Sequence, residues 1–236
     1  MHRSPSPSPA RPSAPPRLVL GSTSTYRREL LARLGLAFDA VAPHTDESPR
    51  PGEAPRALAQ RLARAKAEAV AARCQGGGDI LSSDDVVVIG SDQVADLGGQ
   101  ALGKPGDHAG AVAQLRAMRG QVVHFHTAVC VLRPRTGRLE EALSSVAVTF
   151  RELSDDDIET YLQREQPYDC AGSAKCEGLG IALLERIDSD DPTSLIGLPL
   201  IATRRLLAAV GLDLLAALRA QDTPQPPPSN PAPHHG

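Results

Sequence analysis

The sequence predicts an α/β fold built on a mixed sheet, and three observations point there. Early in the chain, short apolar β-type runs alternate with stretches of helical periodicity. The run at 86–89, VVVI, is apolar at every position, as a strand covered on both faces requires. Two long β-type runs, 121–132 and 139–150, then flank a turn at 133–138 and add an antiparallel pair.

Taken in order, the first element is LVLGSTSTYRRELL at 18–31. Leu18, Val19 and Leu20 form a short strand and Gly21 turns the backbone. Ser22, Thr23 and Ser24 stand where a helix starts, and Leu30, Leu31 and Leu34 supply its buried stripe. Free N–H groups at such a helix start attract an anion, and Arg27 and Arg28 add planar donors suited to phosphate. An ordinary capped helix with solvated arginines has the same local pattern. A second strand is expected at 38–41, then a Pro-interrupted loop holding Asp46 and Glu47, then a helix over 56–74 with Leu58, Leu62, Ala65 and Ala69 on one side and Lys66 within it. After a Gly/Ser/Asp loop at 75–85, the strand at 86–89 is expected to end in GSDQV, which puts Asp92 just past its end. Leu97-Gly98-Gly99-Gln100 reads as a hairpin turn and Gly103-Lys104-Pro105 as a loop. A helix at 108–119 is stopped by Gly120. Ser154 caps the next helix, whose Asp155, Asp156 and Asp157 complement its dipole. Residues 171–180 form a Gly-rich loop, 181–186 a strand, and 197–218 one or two helices with a break near Gly211. The segments 1–16 and 223–236 are Pro-rich and low in complexity, which predicts disordered tails around a folded unit at 17–222.

Composition bounds the function. Of the 236 residues 41% are hydrophobic but only 3% aromatic, so Leu, Val and Ala must fill the core. A net charge of −3 argues against a nucleic-acid or anionic-membrane binder, and no run is long and apolar enough to span a bilayer. The N-terminal segment lacks the apolar centre of a secretory signal. Cys74, Cys130, Cys170 and Cys176 form no C-x-x-C and fit reduced thiols in a cytoplasmic protein.

The chemistry concentrates in four places: the segment from Ser22 to Arg28, the acids Asp46 and Glu47, Asp92, and the lysines Lys66 and Lys104. Carboxylates at strand ends of open α/β sheets tend to face the ligand crevice. Mg²⁺ or Mn²⁺ takes one or two carboxylates together with phosphate oxygens, and lysines serve the remaining phosphate charge. The set reads as a metal-assisted site for a polyphosphate. Lys66 alone reads equally as a surface lysine on an Arg-rich helix. His124 and His126 alternate on one strand face, but no third zinc ligand stands at a sensible spacing. A Walker motif is absent, as is a dinucleotide-binding glycine fingerprint after the first strand.

Together GSTSTYRRELL, DES at 46–48, RLARAKAEA, GSDQV at 90–94, GKP at 103–105, AGSAKCEGLG at 171–180 and DPTSLIGLPL at 191–200 resemble the Maf proteins, in the family's order and across essentially the whole core. Gly21 and Thr25 stand where that family more often has Ala and Pro. The resemblance implies an inosine-triphosphatase-like α/β fold with a cleft between two lobes, and hydrolysis of a nucleoside triphosphate to the monophosphate and pyrophosphate. Carried over, Asp92 matches the proton acceptor, and Ser22, Arg27, Glu47, Lys66 and Lys104 match the polar residues of the cleft. Glu47 and Asp92 would then hold the divalent metal. Tyr26, Gln93 and Glu177 match positions that separate substrate subgroups, and an aromatic, Gln and Glu resemble the 7-methyl-GTP branch. The alternatives are the same reaction on dTTP, UTP or modified pyrimidines, and a nucleotide-binding regulator of cell division without turnover. Oligomeric state is left open, a homodimer included.

Overall fold

A computed structural model of the chain describes residues 16–75 and 85–222; the expectations for the two tails and for the loop between 75 and 85 fall outside them. In chain order the elements are β1 (Arg17–Gly21), α1 (Thr25–Ala32), β2 (Phe38–Ala40), α2 (Pro55–Gln75), β3 (Val86–Leu97), β4 (Gln100–Leu102), α3 (His108–Met118), β5 (Val122–Arg133), β6 (Arg138–Phe150), α4 (Asp155–Glu165), β7 (Leu184–Asp188), α5 (Leu200–Ala209) and α6 (Leu214–Asp222). The strands form one mixed sheet in the order β2-β1-β3-β5-β6-β7, with β4 paired to β3. β1 is parallel to both β2 and β3, and every other pairing is antiparallel.

Strand alternation assigns the two faces. Leu18, Leu20, Val87 and Ile89 point to one side, where Leu30 and Leu31 of α1 and Leu206 and Leu207 of α5 cover them. Val19, Val86 and Val88 point to the other, against Leu58, Leu62, Ala63, Ala67 and Val70 of α2. This double cover is why the run at 86–89 is apolar throughout. A third cluster joins Phe125, Val146, Val148 and Phe150 of β5 and β6 to Leu115 and Met118 of α3 and Ile158 and Leu162 of α4. Full burial of one such leucine contributes roughly 1.5–3 kcal/mol, so these clusters fix the layers.

β3 departs from the sequence expectation. It does not end before Gly90-Ser91-Asp92 but continues to Leu97, paired with β5 from Val88↔Leu132 to Asp96↔His124. Asp92 therefore lies within a strand, opposite Ala128, and not past a strand end. The glycine that reads as a terminator has another cause. A Cβ on Gly90 would stand 2.2 Å from the Ala63 carbonyl oxygen and 2.6 Å from the Ala67 nitrogen, so Gly90 lets the backbone of α2 rest on β3. On its other edge β3 pairs with β1 as far as Gly21↔Gly90 and with β4 from Ala95↔Leu102. Between them, residues 91–94 have no strand partner on that edge among the described residues, and a cleft opens there.

The remaining differences are smaller. Residues 179–183 form a 3₁₀ turn, not the start of a strand, and β7 begins only at Leu184. The cause is tight packing: a Cβ on Gly180 would lie 2.4 Å from the Lys175 carbonyl oxygen. α5 starts at Leu200, not at residue 197, because Pro199 caps it and Gly197 sits at φ +124°. Gly211, at φ +88°, makes the expected break before α6. Gly98 and Gly99, at φ +61° and +91°, make the expected hairpin turn. Among the described residues no helix is long and apolar enough to cross a membrane.

Candidate active site

The cleft has a volume of about 970 Å³, within the range of small-molecule sites. Ser22, Tyr26, Arg27, Glu47, Lys66, Asp92, Gln93, Lys104 and Glu177 all line it, so segments far apart in sequence converge on one hollow.

Its floor is an ionic cluster. Lys66 points from α2 towards β3, and only 4% of it is exposed. Its Nζ donates to Asp92 Oδ1 at 2.7 Å and lies 2.6 Å from Glu47 Oε1. Asp92 is 6% exposed, whereas the Glu47 side chain is about half exposed. Two charges this deep are tolerated because each compensates the other; removal of one typically costs about 3–5 kcal/mol. The surface-lysine reading of Lys66 is excluded. Burial raises the Glu47 carboxyl pKa, but the hydrogen bond from Lys66 and the charges of Lys66, Lys104 and Arg27 outweigh it and hold the group below its usual range.

Arg27 closes one wall. Its Nε donates to the Gly197 carbonyl at 2.9 Å, and the same oxygen accepts Ser91 Oγ at 3.2 Å. This tie joins α1, β3 and the loop before α5. The Nη groups of Arg27 have no protein acceptor among the described residues. Burial lowers the guanidinium pKa, against the opposing charges of Asp92 and Glu47. Arg28, by contrast, is exposed and does not line the cleft. Ser22 is buried at the mouth of α1, and its Oγ accepts the Ser24 N–H at 3.1 Å; Ser24 is the helix N-cap. Lys104 is exposed on the opposite wall. Asp46 stays outside the site, because its carboxylate accepts the Ser48 N–H at 2.9 Å within its own loop.

Tyr26, Gln93 and Glu177 line the cleft as well. Tyr26 is partly buried beside Lys175; burial raises its phenol pKa and Lys175 opposes that. Gln93 Nε2 donates to Thr127 Oγ1, Ser194 O and Leu195 O. Glu177 is exposed and accepts the Cys176 thiol at 3.5 Å, while burial and the Glu177 charge push that thiol up to about 12. The loop carrying Glu177 is held to α4, where Lys175 N–H donates to Tyr161 Oη at 3.1 Å and Leu179 N–H to Glu165 Oε2 at 3.0 Å.

Glu47 and Asp92 are the carboxylates positioned to hold a metal. No group of three potential ligands occurs among the described residues, so an all-protein cage is absent from them. Both carboxylates contact the Lys66 ammonium, at 2.6 and 2.7 Å, and as oxygen donors they suit a hard cation such as Mg²⁺ or Mn²⁺, which takes one or two carboxylates together with phosphate and water oxygens. His126 takes no part: its ring nitrogens face Ser145 Oγ at 2.8 Å and Asp96 Oδ2 at 3.2 Å. Reading the sequence misses Thr127, the carbonyls at 194–197, Asp169 and Lys175. No local signal marks them, apart from the position of DPTSLIGLPL among the ordered motifs.

The chain is similar to known proteins over most of its length. A family model described as Maf-like protein matches residues 17–210. A 7-methyl-GTP pyrophosphatase of Polaromonas sp. is 61% identical over 199 residues, covering 84% of this chain and 87% of that protein. A protein of the same name from Albidiferax ferrireducens is 59% identical, covering 85% of this chain and 96% of its own length. Another from Cupriavidus metallidurans is 54% identical, at 86% and 97%.

Proposed function

This chain belongs to the Maf family, and from that premise we propose that it hydrolyses a nucleoside triphosphate, 7-methyl-GTP by preference, to the monophosphate and pyrophosphate. The observation that carries this reading is Lys66, buried between Asp92 and Glu47 on the floor of a cleft that Arg27 and Lys104 also line. An inert anion site has no need of paired carboxylates beside its cations.

In the reaction, a water oxygen bonds to the α-phosphorus and the bond from that phosphorus to the bridging oxygen of the β-phosphate breaks. Asp92 orients the water and takes its proton. Arg27, Lys66 and Lys104 neutralise the charge that builds on the leaving pyrophosphate, and Ser22 adds a hydroxyl donor at the start of α1. Glu47 and Asp92 would hold the divalent cation, Mg²⁺ or Mn²⁺, which when bound supplies further charge neutralisation and lowers the pKa of a bound water. At the base end, methylation at N7 makes guanine cationic. The Tyr26 ring stacks on that cation for about 1–2 kcal/mol when desolvated. The Glu177 carboxylate accepts adjacent N–H donors of guanine and offsets the base charge. We assign this activity to the unit 17–222. The four free cysteines fit a reducing cytoplasm.

Pyrophosphate release from a panel of 7-methyl-GTP, GTP, dTTP and UTP with Mg²⁺ or Mn²⁺ tests the reading. Highest kcat/KM on 7-methyl-GTP supports it. A preference for dTTP or UTP retains the reaction and moves the substrate, while saturable binding without release leaves a non-catalytic regulator.

A further inference from the structure

We infer that Gln93 offers the nucleotide base its amide carbonyl oxygen rather than its N–H groups, and that the buried Thr127 is the positioning residue that holds it so. This rests on the nucleotide reading above and deepens it.

The argument is a count of donors and acceptors. Three oxygens surround one end of the Gln93 amide: Thr127 Oγ1 at 2.9 Å, Ser194 O at 3.0 Å and Leu195 O at 3.1 Å. Two are backbone carbonyls, which only accept. The third is a hydroxyl whose single proton already goes to Ser194 O at 2.9 Å, so it too meets Gln93 with a lone pair. An amide oxygen at that end would face three acceptors and no donor. The nitrogen therefore belongs there, and the usual ambiguity between amide oxygen and nitrogen is resolved by chemistry. The frame is stiff. Thr127 is fully buried in the middle of β5, Ser194 Oγ donates to Ser144 Oγ at 2.7 Å, and Ser194 N–H donates to Asp191 O at 3.1 Å.

The other end of the amide, Oε1, has no protein donor among the described residues and is not a buried orphan, and Gln93 lines the cleft. The base end thus presents two acceptors, the Gln93 carbonyl and the Glu177 carboxylate. Guanine matches them with the ring N1–H and one amine hydrogen on Glu177 and the second amine hydrogen on the Gln93 carbonyl. Adenine places an acceptor at N1, and uracil or thymine offers one N–H between two carbonyls. The pair selects a guanine-type edge whether or not N7 is methylated, so it acts separately from the stacking of Tyr26.

The test is steady-state pyrophosphate release by wild type, Thr127→Val, Thr127→Ser, Gln93→Met and the Thr127→Val/Gln93→Met double variant. The substrates are 7-methyl-GTP and 7-methyl-ITP, which lacks the exocyclic amine. Loss of one neutral hydrogen bond raises KM for 7-methyl-GTP about three- to tenfold in Thr127→Val, with kcat changed less than about twofold. Thr127→Ser restores KM. The double variant shows no further loss beyond Gln93→Met, because both changes remove the same interaction, and the gap between the two substrates narrows in both single variants. Additive losses, a fall in kcat at constant KM, or an unchanged gap between the substrates overturns the inference while leaving the pyrophosphatase reading standing. Wild type that releases no pyrophosphate from any nucleotide overturns the functional reading and this inference with it. Nitrogen-edited spectra of the free protein add a readout without turnover: the Gln93 side-chain amide protons are shifted and protected in wild type and lose part of that protection in Thr127→Val, where Ser194 O and Leu195 O remain as acceptors.

Discussion

The groups proposed to bind the phosphates and those proposed to read the base are held differently. Of the groups proposed for the phosphates, Arg27 comes from α1, Lys66 from α2 and Asp92 from the middle of β3, while Glu47 and Lys104 stand on loops. Lys66 and Asp92 are almost fully buried and bonded to each other. Of the groups proposed for the base, Tyr26 and Gln93 share α1 and β3 with Arg27 and Asp92, but Glu177 is carried on an exposed loop and Gln93 is held by carbonyls of another loop. Strands and helices packed on both faces hold charges to within fractions of an ångström, which transition-state stabilisation needs. Loops change sequence at little cost to the core, which suits the part of a site that sets substrate preference.

That contrast predicts where substitutions act. The largest effect on activity belongs to Asp92→Asn, which keeps the shape but loses the base. Turnover falls by about a thousandfold or more while nucleotide binding persists. Pyrophosphate release alongside equilibrium titration checks this, and an active Asp92→Asn protein removes Asp92 from the mechanism. Next comes Lys66→Met, which strands a buried carboxylate. It lowers stability by about 3–5 kcal/mol in denaturant melts and turnover by about a hundredfold. The double variant Lys66→Met/Asp92→Asn recovers part of that stability, and equal melts for single and double variants would mean the pair is not coupled. Gly90→Ala attacks the scaffold itself, since the new methyl group meets the backbone of α2. A loss of about 2–4 kcal/mol is expected, and an unshifted melt contradicts the close helix approach.

The base end responds more mildly. Glu177→Gln leaves the melting temperature unchanged and reduces the preference for 7-methyl-GTP over dTTP by about tenfold. If that ratio stays constant, Glu177 does not read the base. The smallest effect is on pH dependence. The folded-state pKa of Glu47 is depressed below its ordinary 4.5. Its contribution to stability is therefore complete above that value and is lost as pH falls through the folded pKa. Because the side chain is half exposed, solvent screening keeps the contribution small. Melts of wild type and Glu47→Gln should differ above the ordinary carboxylate range and converge as pH falls through the depressed folded-state pKa of Glu47.

Much of this molecule was legible before any coordinates. Leu30 and Leu31 at helical spacing, the apolar run at 86–89, Ser154 as a cap and the Gly98-Gly99 turn all report short-range physics: backbone sterics, periodicity and local hydrogen bonds. The identity of the polar set was legible as well, through the order of its motifs. Three things were not. Gly90 looked like a strand end, because its reason for being glycine is a helix that passes over it from 23–27 positions earlier. Lys66 looked like a surface residue, because its partner Asp92 is 26 positions away. By residue type Arg27 and Arg28 looked alike and only the family resemblance singled out Arg27; the physical difference is the Gly197 carbonyl, 170 positions on, which holds Arg27 at the cleft while Arg28 stays exposed. The chain by itself determines which elements form and which chemical groups are available. Which charge is buried, what compensates it and which way an amide such as Gln93 faces are decided by contacts between distant segments, because the cost of desolvating a polar group depends on neighbours that only folding supplies.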